Sequence, residues 1–263
     1  MLRVKRLYRR FWVAVAVFVL LGNGLSSACA DSNRSPGSSA DLPQAQTGSS
    51  ATATMKEDPG VLLVRPTSSA ATAQKERPNV LLITVDTLRA DAVGAYGNPK
   101  ARTPNIDSLA QDSSVFRLAI SPEPQTNPTL ASIFTGVFPN RHGIVHHMAS
   151  KLSGRVKPLA ELLAGAGYAT AGHYSWISFD PEYSGLERGF ATYQRHTVDR
   201  PFPADRKPDF YEEYLDSKAN VTTDGVISWM ETGAKDPFFL WIHYNDAHWP
   251  YEPPPPFDAR FDQ

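Results

Sequence analysis

The chain has 263 residues, 41% of them hydrophobic and 20% charged, the composition of an ordinary globular protein with enough length to bury one sizeable core. Its formal net charge is −1, but five Lys and Arg side chains and no acids fall within the first 30 residues, so the remainder carries 21 basic against 27 acidic side chains, a balance of −6. A mildly acidic body argues against nucleic acid as a partner, because phosphate neutralisation needs clustered Lys and Arg.

Residues 1–30 read as an export signal, with MLRVKRLYRR as the basic region, FWVAVAVFVLLG as an apolar run too short for a membrane span, and LSSACA as a small-residue cleavage site. The expected destination is a bacterial periplasm, envelope or cell surface. Cleavage after Ala30 discards Cys29, whereas cleavage before it leaves Cys29 to carry lipid and attach the protein to a membrane. Cys29 is the only cysteine, so the mature domain has neither an internal disulfide nor a thiolate metal cluster. Residues 31–76 are rich in Ser, Ala, Thr, Pro, Gly and Gln and form the expected disordered tether, with VLLV at 61–64 as a short apolar island.

At Arg77 the character changes, and residues 77–263 read as one folded α/β domain. RPNVLLITVDTLRAD predicts a buried strand with Asp86 at its carboxyl end, where open α/β sheets bind ligands. TPNIDSLAQDSSVF predicts a helix with Thr103 as N-cap, Pro104 at the first position and Asp107 in the first turn. QTNPTLASIFTGVFPNRHG predicts another, with Pro128 in the first turn, Gly136 beyond the last, and Thr126 and Asn127 at or just before the N-cap. PLAELLAGAGYATAGHY reads as a helix followed by a strand around 168–173, residues from about 210 to 233 carry helical spacing, and DPFFLWIHYND predicts a last apolar strand ending near His248. Strands alternating with helices imply a mostly parallel central sheet with helices on both faces.

A carboxylate at a strand end and a hydroxyl at a helix start are what anionic ester cleavage needs: a cation to lower the nucleophile's pKa, and oriented N–H groups to hold the anion. Each alone reads first as a helix cap. Taken in order, RPNVLLITVDTLRADAVGAYG, TPNIDSLA and NPTLASIFTGVFPNRHG resemble the opening of the sulfatase family, within the alkaline phosphatase superfamily, over roughly residues 77–250.

That resemblance implies a hydrolase of sulfate esters or of phosphate or phosphonate esters, with one divalent metal ion, calcium first and manganese or zinc as alternatives. Asp86 matches the first metal ligand, while the acid that often follows it is Thr87 here. TNPTL at 126–130 aligns with the Cys/Ser-x-Pro-x-Arg nucleophile motif. Oxidation of a threonine gives a ketone rather than an aldehyde, so no formylglycine is expected, and an unmodified, metal-bound Thr126 is the implied nucleophile. In PFFLWIHYNDAHWPYEPPPPF, His248 takes the position that binds the ester anion or protonates the leaving group. His142, in RHG, is a second substrate-binding candidate, with a turn role as the alternative. His243 is expected in the core, and His173 stands near the place of a Lys-x-His pair that the sequence lacks. The family completes its metal site with an Asp-His-Gly or Asp-Asn segment further on, and nothing matching it is present in the 263 residues. The expectation is therefore the N-terminal part of a catalytic domain, C-terminally incomplete, acting on a small-molecule or glycan anionic ester. The alternatives are a catalytically incomplete fragment or an anion-binding lipoprotein lacking the C-terminal metal ligands, and transfer of a phosphoryl-linked group onto an envelope glycolipid.

Overall fold

The computed structural model of the chain describes residues 77–197, 218–249 and 251–259. The expected leader, the tether with its VLLV island, and residues 210–217 lie outside the described residues.

Strand β1, Val80–Val85, runs parallel to β4, Phe238–Tyr244, with Val80 opposite Phe239 and Val85 opposite Tyr244. The other edge of β4 takes β2, Ala169–Tyr174, which in turn takes the short β3, Thr192–Arg195. All three pairings are parallel and the order is β1-β4-β2-β3, so every carboxyl end opens on one edge of the sheet.

The described residues form five α-helices: α1 Pro104–Gln111, α2 Thr126–Thr135, the single turn α3 Pro139–His142, α4 Leu159–Gly165 and α5 Ala219–Thr232, of which all but α3 follow from the grammar of the sequence. They cover both faces. Phe239 and Trp241 of β4, Leu82 of β1 and Tyr174 of β2 pack with Leu130 and Phe134 of α2 and Ala160 of α4. On the opposite face, Phe238, Leu240 and Ile242 of β4 meet Val226 of α5, with Trp229 and Met230 beside it. The alternation along β4 is the two-residue period of a strand, and both sets are apolar because water reaches neither face of a covered parallel sheet. Trp241 is fully buried and stands edge-on to Phe134 and Phe179. Burying a side chain of that size stabilises the fold by about 2–3 kcal/mol.

Three boundaries differ from expectation. Helix α2 starts at Thr126, with Gln125 as its extended N-cap, so Thr126 and Asn127 are inside the helix. Pro128 is then the third helical residue, where a missing N–H costs nothing because first-turn N–H groups have no intrahelical acceptor. Strand β4 ends at Tyr244 rather than near His248, because the His248 N–H turns back to the Asn245 carbonyl at 2.8 Å. The half-buried TYQR of β3 lacks an apolar alternation and gives no strand signal.

Candidate active site

The β1–β4 ladder continues one step past the strand: the Asp86 N–H donates to the Tyr244 carbonyl at 2.9 Å. That bond fixes the carboxylate at the sheet's carboxyl edge, where it is only 2% exposed. The hydroxyl of Thr126 donates to Asp86 Oδ2 at 3.0 Å, joining residues 40 apart in sequence. Asp86 Oδ1 is buried and has no hydrogen-bond partner among the described residues. No side chain caps the start of α2. The N–H groups of Thr126 and Asn127 therefore point outward at the positive end of the helix, beside the hydroxyl.

His243 lies under this pair, fully buried, its Nδ1 2.8 Å from the Thr84 hydroxyl, which also accepts the Trp241 indole N–H at 3.1 Å. Its Nε2 stands 3.7 Å from Asp86 Oδ2, a charge contact longer than a hydrogen bond. Burial works to raise the Asp86 carboxyl, but the imidazoles of His243 and His248 and the Thr126 hydroxyl outweigh it. The group is held below its ordinary value and is ionised at neutral pH.

His248 acts on the same carboxylate from the turn after β4. Its Nδ1–H donates to the Trp249 carbonyl at 2.7 Å, which leaves Nε2 as its outward nitrogen. Its ring lies 5.9 Å from that of Trp176. Thr87, where a second acid was considered, ties the end of β1 to the same turn by donating to the Ala247 carbonyl at 2.7 Å. It does so with φ +51°, a left-handed conformation that costs a β-branched residue about 1–3 kcal/mol.

The structure thus brings Asp86, Thr126 and His248 to one place and gives His142 another task. His142 is 0% exposed, with Nε2 3.0 Å from the Ser132 hydroxyl and Nδ1 accepting the Ile144 N–H at 3.1 Å. Both ring nitrogens are used to brace the corner between α2 and α3, and burial lowers its pKa. His173 is also removed from the edge, buried in β2 with Nδ1 2.9 Å from His196 Nε2. Two neighbours of His248 escaped the sequence reading: Trp176, whose ring stands 5.9 Å from that of His248, and His147, whose ring stands 6.5 Å from that of Trp176. The His146-His147 doublet after RHG was the available signal.

A divalent cation is what the fold family implies, and the donor set is tested by its orphaned atoms. Asp86 Oδ1, and Asn245 Oδ1 at the end of the neighbouring strand, are buried oxygens without partners, and the Thr126 hydroxyl stands beside the first. Such oxygens suit a hard cation of the calcium, magnesium or manganese kind. Among the described residues no three His, Cys, Asp or Glu side chains gather at one point, so these atoms fit part of a coordination shell of about six to eight oxygens.

The parallel sheet covered on both faces is of the alkaline phosphatase and sulfatase type, as its likeness to solved structures shows. Phosphonate monoester hydrolase of Agrobacterium radiobacter shares that fold with a TM-score of 0.56 at 22% identity, over 70% of this chain and 44% of that one. The chain belongs to the sulfatase family, whose sequence profile matches residues 78–263. It is similar to an N-acetylglucosamine-6-O-sulfatase of Bacteroides thetaiotaomicron, 28% identical over 176 residues, which are 65% of this chain and 30% of that protein. It is also similar to the steryl-sulfatase of Mus musculus, 34% identical over 99 residues, covering 34% and 16% of the two chains. The chain spans well under half the length of these curated relatives.

Proposed function

We propose that this chain carries the nucleophile and the first metal ligand of a hydrolase of anionic esters, sulfate esters or phosphate and phosphonate esters. The observation that carries this reading is the Thr126 hydroxyl, set at an uncapped helix start and donating to a buried carboxylate whose second oxygen is unpartnered. Asp86 and Thr126 would hold a divalent ion, calcium first, which when bound lowers the pKa of a hydroxyl and offsets the charge of the ester.

In that setting Asp86 orients the hydroxyl of Thr126, whose oxygen bonds to the sulfur or phosphorus as its proton leaves to solvent. The bond to the ester oxygen breaks, the departing oxygen takes a proton through Nε2 of His248, and solvent returns that proton. Water then cleaves the Thr126 ester and restores the hydroxyl. His243, buried and held by Thr84, keeps Asp86 ionised. The glycan and steroid sulfatases among the relatives favour a sulfated glycan or small molecule as substrate, while a threonine nucleophile favours phosphorus. Export from a bacterial cell, with Cys29 lipid as a membrane attachment, completes the reading of residues 1–30.

Thr126→Ala should lower turnover of an aryl sulfate or an aryl phosphodiester by about a thousand-fold or more, measured with calcium present, and a chelator should do the same to the unmodified chain. Turnover unchanged in Thr126→Ala removes the nucleophile. A second reading, anion binding without turnover, is favoured by the incomplete shell of ligands among the described residues. It expects inorganic sulfate to bind both chains equally while neither cleaves either ester.

A further inference from the structure

His147 is not part of the chemistry described above, yet four features tie it to Thr126. Its backbone N–H donates to Gln125 Oε1 at 2.7 Å, and Gln125 is the residue that caps α2 immediately before Thr126. Its Nε2 accepts a long hydrogen bond of 3.4 Å from the Trp176 indole N–H. With Nε2 accepting, the neutral ring carries its proton on Nδ1. Nδ1 has no hydrogen-bond partner among the described residues. Third, the buried Trp176 ring serves as a common plate: His147 lies 6.5 Å from it at 33°, and His248 lies 5.9 Å from it at 32°. Both imidazoles therefore neighbour one buried ring, and the charge of Asp86 acts on both.

The fourth feature is backbone strain. Among the described residues, two that are not glycine take a left-handed conformation: Thr87, one residue past Asp86, and Met148, at φ +55° one residue past His147. Such strain costs about 1–3 kcal/mol per residue and persists where surrounding contacts over-determine it, which is common at ligand sites.

We propose that His147 is a second substrate-binding imidazole, its Nδ1–H donating to a non-bridging oxygen of the sulfate or phosphate ester beside His248. The proposal rests on Thr126 as the nucleophile. Burial lowers the pKa of His147, the charge of Asp86 works against that and His248 adds to it, so the ring is a neutral donor at neutral pH. A neutral donor adds no charge near Asp86 and suits an oxyanion that a cation already neutralises.

The test uses the whole chain with calcium, an aryl sulfate and an aryl phosphodiester as substrates, and inorganic sulfate and orthophosphate as competing anions. His147→Ala and His147→Phe should raise KM and both inhibition constants about ten-fold while kcat changes less. Phe keeps a ring against Trp176 without the donor, whereas His147→Asn returns an N–H close to the Nδ1 position and should recover most of the affinity. The larger effect of the two ester arms identifies whether sulfate or phosphate is the ligand. Melting temperatures of the three variants should agree. In the unmodified chain, the 15N resonance of His147 Nδ1 should move when either anion is added.

Recovery by Phe and not by Asn makes His147 a packing residue and overturns the proposal, as does a stationary Nδ1 resonance. If Thr126→Ala abolishes turnover while all three His147 variants match the unmodified chain, only this inference falls. If the unmodified chain neither cleaves an ester nor binds an anion, the hydrolase reading falls with it.

Discussion

Asn127 follows Thr126 and is fully buried, its Nδ2 donating to the Ser178 carbonyl and its Oδ1 accepting the Ser178 hydroxyl, both at 2.8 Å. These two bonds fasten the first turn of α2 to the loop after β2. Asn127→Ala leaves two buried Ser178 groups unpaired, a loss on the order of 2–3 kcal/mol that urea unfolding should register. Asn127→Asp keeps the acceptor but buries a charge beside the Ser178 carbonyl, and should be no better. At this scale the sequence was legible where backbone grammar marks a residue. Asp86 ends an apolar run, and Thr126 stands beside a proline that opens a helix. His147 and Trp176 carry no such mark, since their meeting depends on a contact 29 residues apart. His142 resembled a site residue only by its nearness in sequence to α2, and its burial is a matter of packing that no local pattern encodes.

Helix α5 shows how packing overrules propensity within one element. Gly225 sits in its interior, where Ala is favoured over Gly by about 1 kcal/mol. A Cβ at Gly225 would meet His196 Cε1 at 2.0 Å, and that ring is held by His173 on the neighbouring strand. Gly225→Ala should therefore lower the melting temperature, because overpacking of about 1–3 kcal/mol exceeds the propensity gain. A rise would mean that the His196 ring moves aside freely. Element type was legible wherever the apolar period was strong, as in VLLITV and FFLWIHY, and illegible for β3, which gains its place only by pairing with β2 at the sheet's edge. Boundaries moved by a few residues where a turn bond, such as His248 N–H to Asn245, competes with continuation of the strand.

For the molecule as a whole, the buried His173 and His196 pair sets a dependence on pH. Burial lowers both imidazoles, and the neighbouring His196 adds to the effect on His173, which falls from 6.5 to about 4. A lowered folded pKa means that the unfolded chain binds protons the folded one refuses. Stability is then complete above the ordinary value and declines as the pH falls through the window down to about 4, with no further loss from this group below it. The shift at His173 corresponds to on the order of 2–3 kcal/mol across that window. Urea midpoints measured from pH 7.5 to 4.5 should fall, and fall less in His173→Gln. Equal slopes would place the acid sensitivity in other groups. The parallel α/β architecture was legible as a whole because alternating strand and helix periods admit few other arrangements. The strand order was not, because nothing local says that β4 lies between β1 and β2.

That order has a consequence for the chain as it is made. Of the described strands β1 is synthesised first, and its one partner among them is β4, so that the Phe238 N–H finds the Asn79 side chain 159 residues upstream. At roughly 5–20 residues per second, the ribosome leaves VLLITV without its ladder for on the order of ten to thirty seconds. During that interval its apolar residues and unpaired backbone are open to any other strand nearby.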